Sequence, residues 1–214
     1  MQKMTYEKFK QLSVRKDVNA NDIAHFFSHR FAEPLAYFFY RLGATANIVT
    51  WIFLLFGLIA AFSIWAELPI LAYFFWRMHI VADMADGTIA RATHQFSKSA
   101  DGFDRSNHIV INTSVVFAAA SSIENVFFVM FLLITFNLFY SFSINYYTEK
   151  KETRQISLHM ALFRNIIGLE GFIFFTVFFQ IFDKQEYQPI IILIYGFTHL
   201  IMYLRKLQIF INEN

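Results

Sequence analysis

"TANIVTWIFLLFGLIAAFSIW", residues 45–65, contains no charged side chain. About 20 apolar residues in a helix cross the hydrocarbon core of a bilayer, and this stretch reads as such a span. Working outward from it, apolar runs recur at roughly 69–92, 105–122, 125–148, 162–182 and 188–208. The 214 residues are 57% hydrophobic, 20% aromatic and 16% charged, where a soluble domain carries about 25% charge. The fold class expected is an all-α integral membrane protein with six transmembrane helices. Cysteine is absent, which excludes disulfides and thiolate metal sites. The first twenty residues are polar and lack the apolar stretch of a cleaved signal peptide.

The segments between the runs alternate in character. WAELP (65–69), SSIEN (121–125) and DKQEYQ (183–188) are short and contain Lys184 as their single basic residue. The other connections carry Lys or Arg throughout. Of the 18 basic residues, only Arg77 and Lys184 fall outside that second group. Cytoplasmic loops concentrate Lys and Arg, so both termini are expected in the cytoplasm. Ile23, Phe26, Phe27 and Phe31 follow helical spacing behind Asn21–Asp22. This reads as an amphipathic juxtamembrane helix lying along the headgroups, broken at Pro34 and stopped at Gly43. The domain organisation expected is an arm and interfacial helix over 1–43, then a six-helix membrane domain over 44–214.

The stretch "VADMADGTIARATHQFSKSADGFDRSNHIV", 81–110, interrupts this pattern with Asp83, Asp86, Asp101, Asp104 and His108. Asp83 and Asp86 share one helix face with Gly87 and Ala90, and Asp101, Asp104 and His108 fall on another at i, i+3, i+7. Unpaired carboxylates at a membrane face are costly. Arg91, Lys98 and Arg105 cannot easily neutralise four of them. Mg²⁺ or Mn²⁺ can, since hard cations take carboxylate oxygens and keep positions for substrate phosphates. The small Gly87 and Ala90 leave room for a base or a phosphate chain beside the ions.

This stretch resembles the signature of the CDP-alcohol phosphotransferases, D-x2-D-G-x2-A-R-x8-G-x3-D-x3-D. Asp83, Asp86, Gly87, Ala90, Arg91 and Asp104 match it in register; Ala100 replaces its glycine and His108 its last aspartate. "ANIVT" (46–50) is similar to the P-N-x-x-T that opens the family's first span, with Ala46 for proline. The resemblance implies six spans and a site at the cytoplasmic face. It further implies two divalent ions, Mg²⁺ or Mn²⁺, held by Asp83, Asp86 and Asp104 with His108 and Asp101. A CDP-alcohol donor would pass its phosphate-linked alcohol to an acceptor hydroxyl, lipid or small polar alcohol, with release of CMP. Two metals stabilise the entering and leaving oxygens of such an in-line displacement. The family also implies a homodimer in the lipid bilayer; no nucleic-acid partner is expected.

His108 occupies the position at which the family's last aspartate takes the acceptor's proton. Three readings stand open. His108 is the general base, its ordinary pKa of about 6.5 suiting that role; or it is a metal ligand that tilts the preference toward Mn²⁺ or a softer ion; or the site has lost its activity. Asp101 would supply a carboxylate one turn earlier. Arg91 is suited to phosphate or carboxylate, or to snorkelling. Asn47 faces the mouth of the first span or caps it. Arg164 meets an acceptor phosphate or lipid headgroup, or merely sets orientation. His79, one turn before Asp83, can hydrogen-bond it. Glu170, deep in the fifth span, is expected to pair with a polar neighbour. The rival classes are a non-catalytic family member and a membrane transporter. Against the latter, the acids gather at one face and no broken mid-span helix or repeat is present.

Overall fold

The computed structural model describes residues 4–14, 23–95, 98–121 and 168–213, with 127, 129–131, 133–135, 138 and 166 between the last two blocks. Regular structure among the described residues is entirely helical: α1 (Tyr6–Ser13), α2 (Ile23–Leu42), α3 (Ala46–Trp65), α4 (Pro69–Thr93), α5 (Lys98–Ala120), α6 (Leu169–Ile181), a 3-10 turn (Gln185–Tyr187) and α7 (Gln188–Glu213). The run expected at 125–148 and the first part of that at 162–182 fall mostly outside the described residues.

Local chemistry explains the ends of these elements. Gly43 follows α2 at φ +88, and the Gly43 and Ala44 amides donate to the Tyr40 and Phe39 carbonyls, both at 3.0 Å. This is the paired-bond helix stop that a residue without Cβ permits. Thr45 then caps α3, its hydroxyl accepting from the Ile48 amide. Pro69 occupies the first turn of α4, where its missing N–H costs nothing.

One expectation for the arm is corrected. Pro34 lies inside α2 without ending it. Pro34 and Arg30 are both exposed, so the carbonyl that loses its hydrogen bond there can be solvated. α2 packs beside α4. The Ser28 hydroxyl accepts from Arg77 Nη2 at 2.9 Å, and Ala36 joins a cluster with Ala85 and Ile89. Ser28, Ala32 and Ala36, spaced four apart and buried, form the face that allows this approach. Phe31 points away and is exposed.

α1 falls in the polar N-terminal stretch, and its packing depends on one residue. Phe9 is fully buried against the rings of Tyr37 (5.4 Å) and Tyr40 (5.2 Å). Tyr6 donates to Glu33 Oε1 at 2.7 Å, and Lys10 Nζ lies 3.5 Å from the same oxygen. The Glu33 hydrogen bond, aided by burial and by the charges of Glu33 and Glu7, pushes the Tyr6 phenol up to about 12. Tyr6 therefore remains a donor through the physiological range.

α3 and α4 form the central hairpin, with α5 crossing against α3. A Cβ on Gly57 would stand 2.7 Å from side-chain carbons of Ile111, so the α3–α5 contact is as close as a bare backbone allows. Phe53, Ile64, Trp76, Ile111, Phe172 and Ile192 share one buried cluster. Glu170 pairs internally, its Oε2 accepting from Arg77 Nη1 at 3.0 Å. On the outer side of α3, Ile48, Trp51, Leu55, Leu58, Phe62 and Trp65 are exposed, a continuous apolar stripe at helical spacing. α3 and the segment Gln185–Asn212 are each long and apolar enough to cross a membrane. α4 and α5, of 25 and 23 residues, have the length but carry the site's charges.

Candidate metal centre

On α4, Asp83, Gly87 and Arg91 recur every four residues and share one face, with His79 one turn before. On α5, Asp104 and His108, four apart, and Ile111, three further on, likewise share one face. The close α3–α5 contact brings these faces together. His108 Nε2 lies 3.0 Å from Asp83 Oδ1 and 3.8 Å from Asp104 Oδ1. One ligand atom from each of Asp83, Asp104 and His108 lies within 4.8 Å of the other two. Adjacent ligands on an octahedral ion, at bond lengths near 2.1 Å, stand about 3.0 Å apart. The His108–Asp83 contact, an ion pair as it stands, has the same length as that edge. The His108, Asp83 and Asp104 side chains are 23%, 30% and 38% exposed, so all three are half-buried.

Asp86 is buried and lies off this triad. Its Oδ2 accepts from the Thr50 hydroxyl at 2.7 Å, a shorter contact than that hydroxyl makes to the Ala46 carbonyl of its own helix, 3.0 Å. Thr50 thus ties α3 to the acidic stretch. In the sequence it stood out only as the last residue of ANIVT. Asp101 lies in the first turn of α5, where a helix favours negative charge; its side chain and the whole of Arg164 lie outside the described residues.

Arg91 folds back over Gly87. A Cβ on Gly87 would stand 3.2 Å from Arg91 Nη1, so the floor between Asp83 and the guanidinium is bare backbone. Arg91 Nη2 donates to Thr88 Oγ1 at 3.2 Å and Nε to the Ser13 carbonyl at 2.9 Å. The last residue of α1 therefore holds a signature arginine in place. Ala90 lies half-buried beside this floor. Asn47 is exposed in the first turn of α3; the cap is Thr45, so the capping role expected of Asn47 is not the one it has. His79 differs from expectation as well, because its Nδ1 pairs with the Phe53 carbonyl at 3.2 Å.

No known protein family's sequence profile matches the chain, and no curated protein matches it in sequence. Function must therefore be argued from the site. Chemically, two carboxylates and an imidazole converge beside a bare helix floor that ends in a guanidinium. Such an arrangement can hold a divalent cation and a phosphate group together.

Proposed function

We propose that the chain is a metal-dependent membrane phosphotransferase of the CDP-alcohol class, passing a phosphate-linked alcohol from a CDP-alcohol to an acceptor hydroxyl and releasing CMP. The observation that carries this reading is the convergence of Asp83, Asp104 and His108 from two helices, one ligand atom of each lying within 4.8 Å of the other two, with Gly87 and Arg91 adjoining them on α4. In this reading Asp83, Asp104 and His108 hold a divalent ion, Asp86 and Asp101 complete the acidic lining, and Arg91 meets the diphosphate over Gly87 and Ala90. Bound metal would polarise the phosphoryl oxygens. His108, within reach of both carboxylates, is the group on this chain able to receive the acceptor's proton when it is not itself ligated.

The same reading makes the chain an integral membrane protein of six spans, acting at the cytoplasmic face as a homodimer. Its support is the exposed apolar stripe of α3 and a second one on α7, Ile190, Ile194, Phe197, Ile201 and Leu204. Water would disfavour such continuous stripes, whereas acyl chains solvate them. The test is CMP release by the purified full chain over a panel of CDP-alcohols, with Mg²⁺ and Mn²⁺ in turn. Release that needs metal and acceptor supports the proposal. Metal binding without CMP release from any donor would instead favour the non-catalytic reading.

A further inference from the structure

The imidazole of His108 has an aromatic neighbour on a third helix. Phe53, on α3, is fully buried, and its ring centroid lies 5.3 Å from that of His108 with the two planes 31° apart. That separation is within the range of paired aromatic rings. Phe53 and Gly57 are one turn apart on α3, as His108 and Ile111 are on α5. The ring contact and the Gly57–Ile111 contact are therefore successive steps of one α3–α5 seam.

Phe53 is itself held by α4, the helix that carries Asp83. The buried His79 ring lies 5.4 Å from the Phe53 ring and is backed by Trp76 at 4.9 Å. A carbonyl oxygen only accepts, so the 3.2 Å contact between His79 Nδ1 and the Phe53 carbonyl is a bond donated by the imidazole. Both the ring and the backbone of Phe53 are thus restrained.

Imidazole geometry gives such a wall a purpose. The lone pair of Nε2 lies in the ring plane, so a bound ion must lie close to that plane. The outer side-chain torsion of histidine has broad wells, and an unsupported ring swings its plane through a wide arc. A phenyl ring at stacking distance narrows the arc. We propose that Phe53 is a positioning residue of this centre: its ring sets the plane of His108, so that Nε2 is presented to Asp83 and Asp104 at the observed 3.0 and 3.8 Å. The inference rests on the reading that Asp83, Asp104 and His108 hold a cation. It also makes Phe53 specific to an imidazole at 108, because a carboxylate there has no ring to stack and binds cations in several geometries.

The experiment uses the full chain purified in detergent, with Mn²⁺ alone as the probe. Calorimetry compares the wild type, Phe53→Leu, His108→Asp and the double variant. Leucine keeps the apolar bulk and loses the flat ring. Phe53→Leu should weaken Mn²⁺ binding about fivefold where 108 is histidine, the scale on which a ring pair acts, and change it less than about twofold in the His108→Asp background. Electron spin-echo spectra of bound Mn²⁺ should show one coupled imidazole nitrogen in the wild type. That coupling should be weakened or lost in Phe53→Leu and kept in Phe53→Tyr, which retains the ring. Phe172→Leu, in the same buried cluster but packed on Tyr195, should lower stability without moving either readout. Equal loss of affinity in both backgrounds would overturn the proposal, since it would mark a general packing defect. Bound Mn²⁺ with no coupled nitrogen in the wild type would also overturn it, and needs no variant to fold. No bound Mn²⁺ at all would overturn the site reading and this proposal with it.

Discussion

His108 Nε2 lies 3.0 Å from Asp83 Oδ1, bridging α4 and α5 from positions 25 residues apart in sequence, 108 less 83. If this contact marks a cation site, each partner is needed for binding. Asp83→Asn and Asp104→Asn should each weaken Mn²⁺ binding by about tenfold or more, measured by calorimetry, and should abolish CMP release. His108→Asp, which restores an oxygen ligand and a proton acceptor, should retain activity with its pH optimum moved downward. Equal CMP release from the wild type and Asp104→Asn would refute the enzymatic proposal.

Protons should compete with the metal at this site. A bound imidazole must be neutral and bound carboxylates ionised, so binding releases protons and weakens as pH falls. Mn²⁺ affinity measured from pH 8 down to pH 5 should therefore decrease monotonically. In His108→Asp the loss should begin at lower pH, because a carboxylate stays ionised where an imidazole is already protonated. Affinity independent of pH across that range would mean that the ion, if bound, does not use His108.

The fold and the site were legible in the sequence to different depths. The helical class and α3 as a helix long and apolar enough to cross a membrane followed from apolar length alone; Asp83, Asp104 and His108 converge, whereas Asp86, expected beside Asp83, turns to Thr50. The arm was read less well. Its docking surface consists of Ser28, Ala32 and Ala36, residues too small to register as an apolar face beside Phe26, Phe27 and Phe31. α1 is polar except for Phe9 and a few neighbours, and its position depends on contacts 27 to 36 residues away, which no local pattern encodes. The Asp86 carboxylate that meets Thr50, the Ser13 carbonyl that holds Arg91 and the Phe53 carbonyl that meets His79 lie on other elements, so no spacing within one helix could reveal them.

α1 should act on the site through Arg91. Its carbonyl at Ser13 accepts from Arg91 Nε at 2.9 Å, and Phe9 holds the helix down. An eight-residue helix has little stability of its own. Phe9→Ala removes a buried ring, a change that costs about 3–5 kcal/mol in a packed core, and should undock α1 locally without unfolding the bundle. The guanidinium then loses its tether. The expected result is a severalfold rise in KM for the CDP donor with a smaller change in kcat, and faster proteolysis within the first fourteen residues. Unchanged KM alongside faster proteolysis would show that α1 does not position Arg91.

Arg77 and Glu170 provide a test of the interior. Arg77 donates to Glu170 Oε2 at 3.0 Å and to Ser28 at 2.9 Å, linking α2, α4 and α6 through one side chain. Removing a single member of a partly buried pair strands the other, at a cost of about 3 kcal/mol where burial is complete and less here. Glu170→Leu should lower the midpoint of thermal unfolding in detergent by several degrees. Arg77→Leu with Glu170→Leu should recover at least half of that loss, since no stranded charge remains. Equal destabilisation by the single and double variants would mean that the pair is a net contributor rather than a compensated charge.

Gly57 connects packing to the metal site. A Cβ there would meet Ile111 carbons at 2.7 Å, a distance that forces one helix to move. Ile111 lies one turn beyond His108 on the same face of α5. Gly57→Ala should therefore push α5 away from α3, at a stability cost of about 1–3 kcal/mol typical of overpacking. It should also draw His108 and Asp104 away from Asp83. The expected signature is weaker Mn²⁺ binding caused by a residue that touches no ligand. Ile111→Ala should restore binding in the Gly57→Ala background, because the three nearest atoms belong to that one side chain. If Gly57→Ala lowers stability but leaves Mn²⁺ affinity unchanged, the α3–α5 contact does not set the spacing of the ligands.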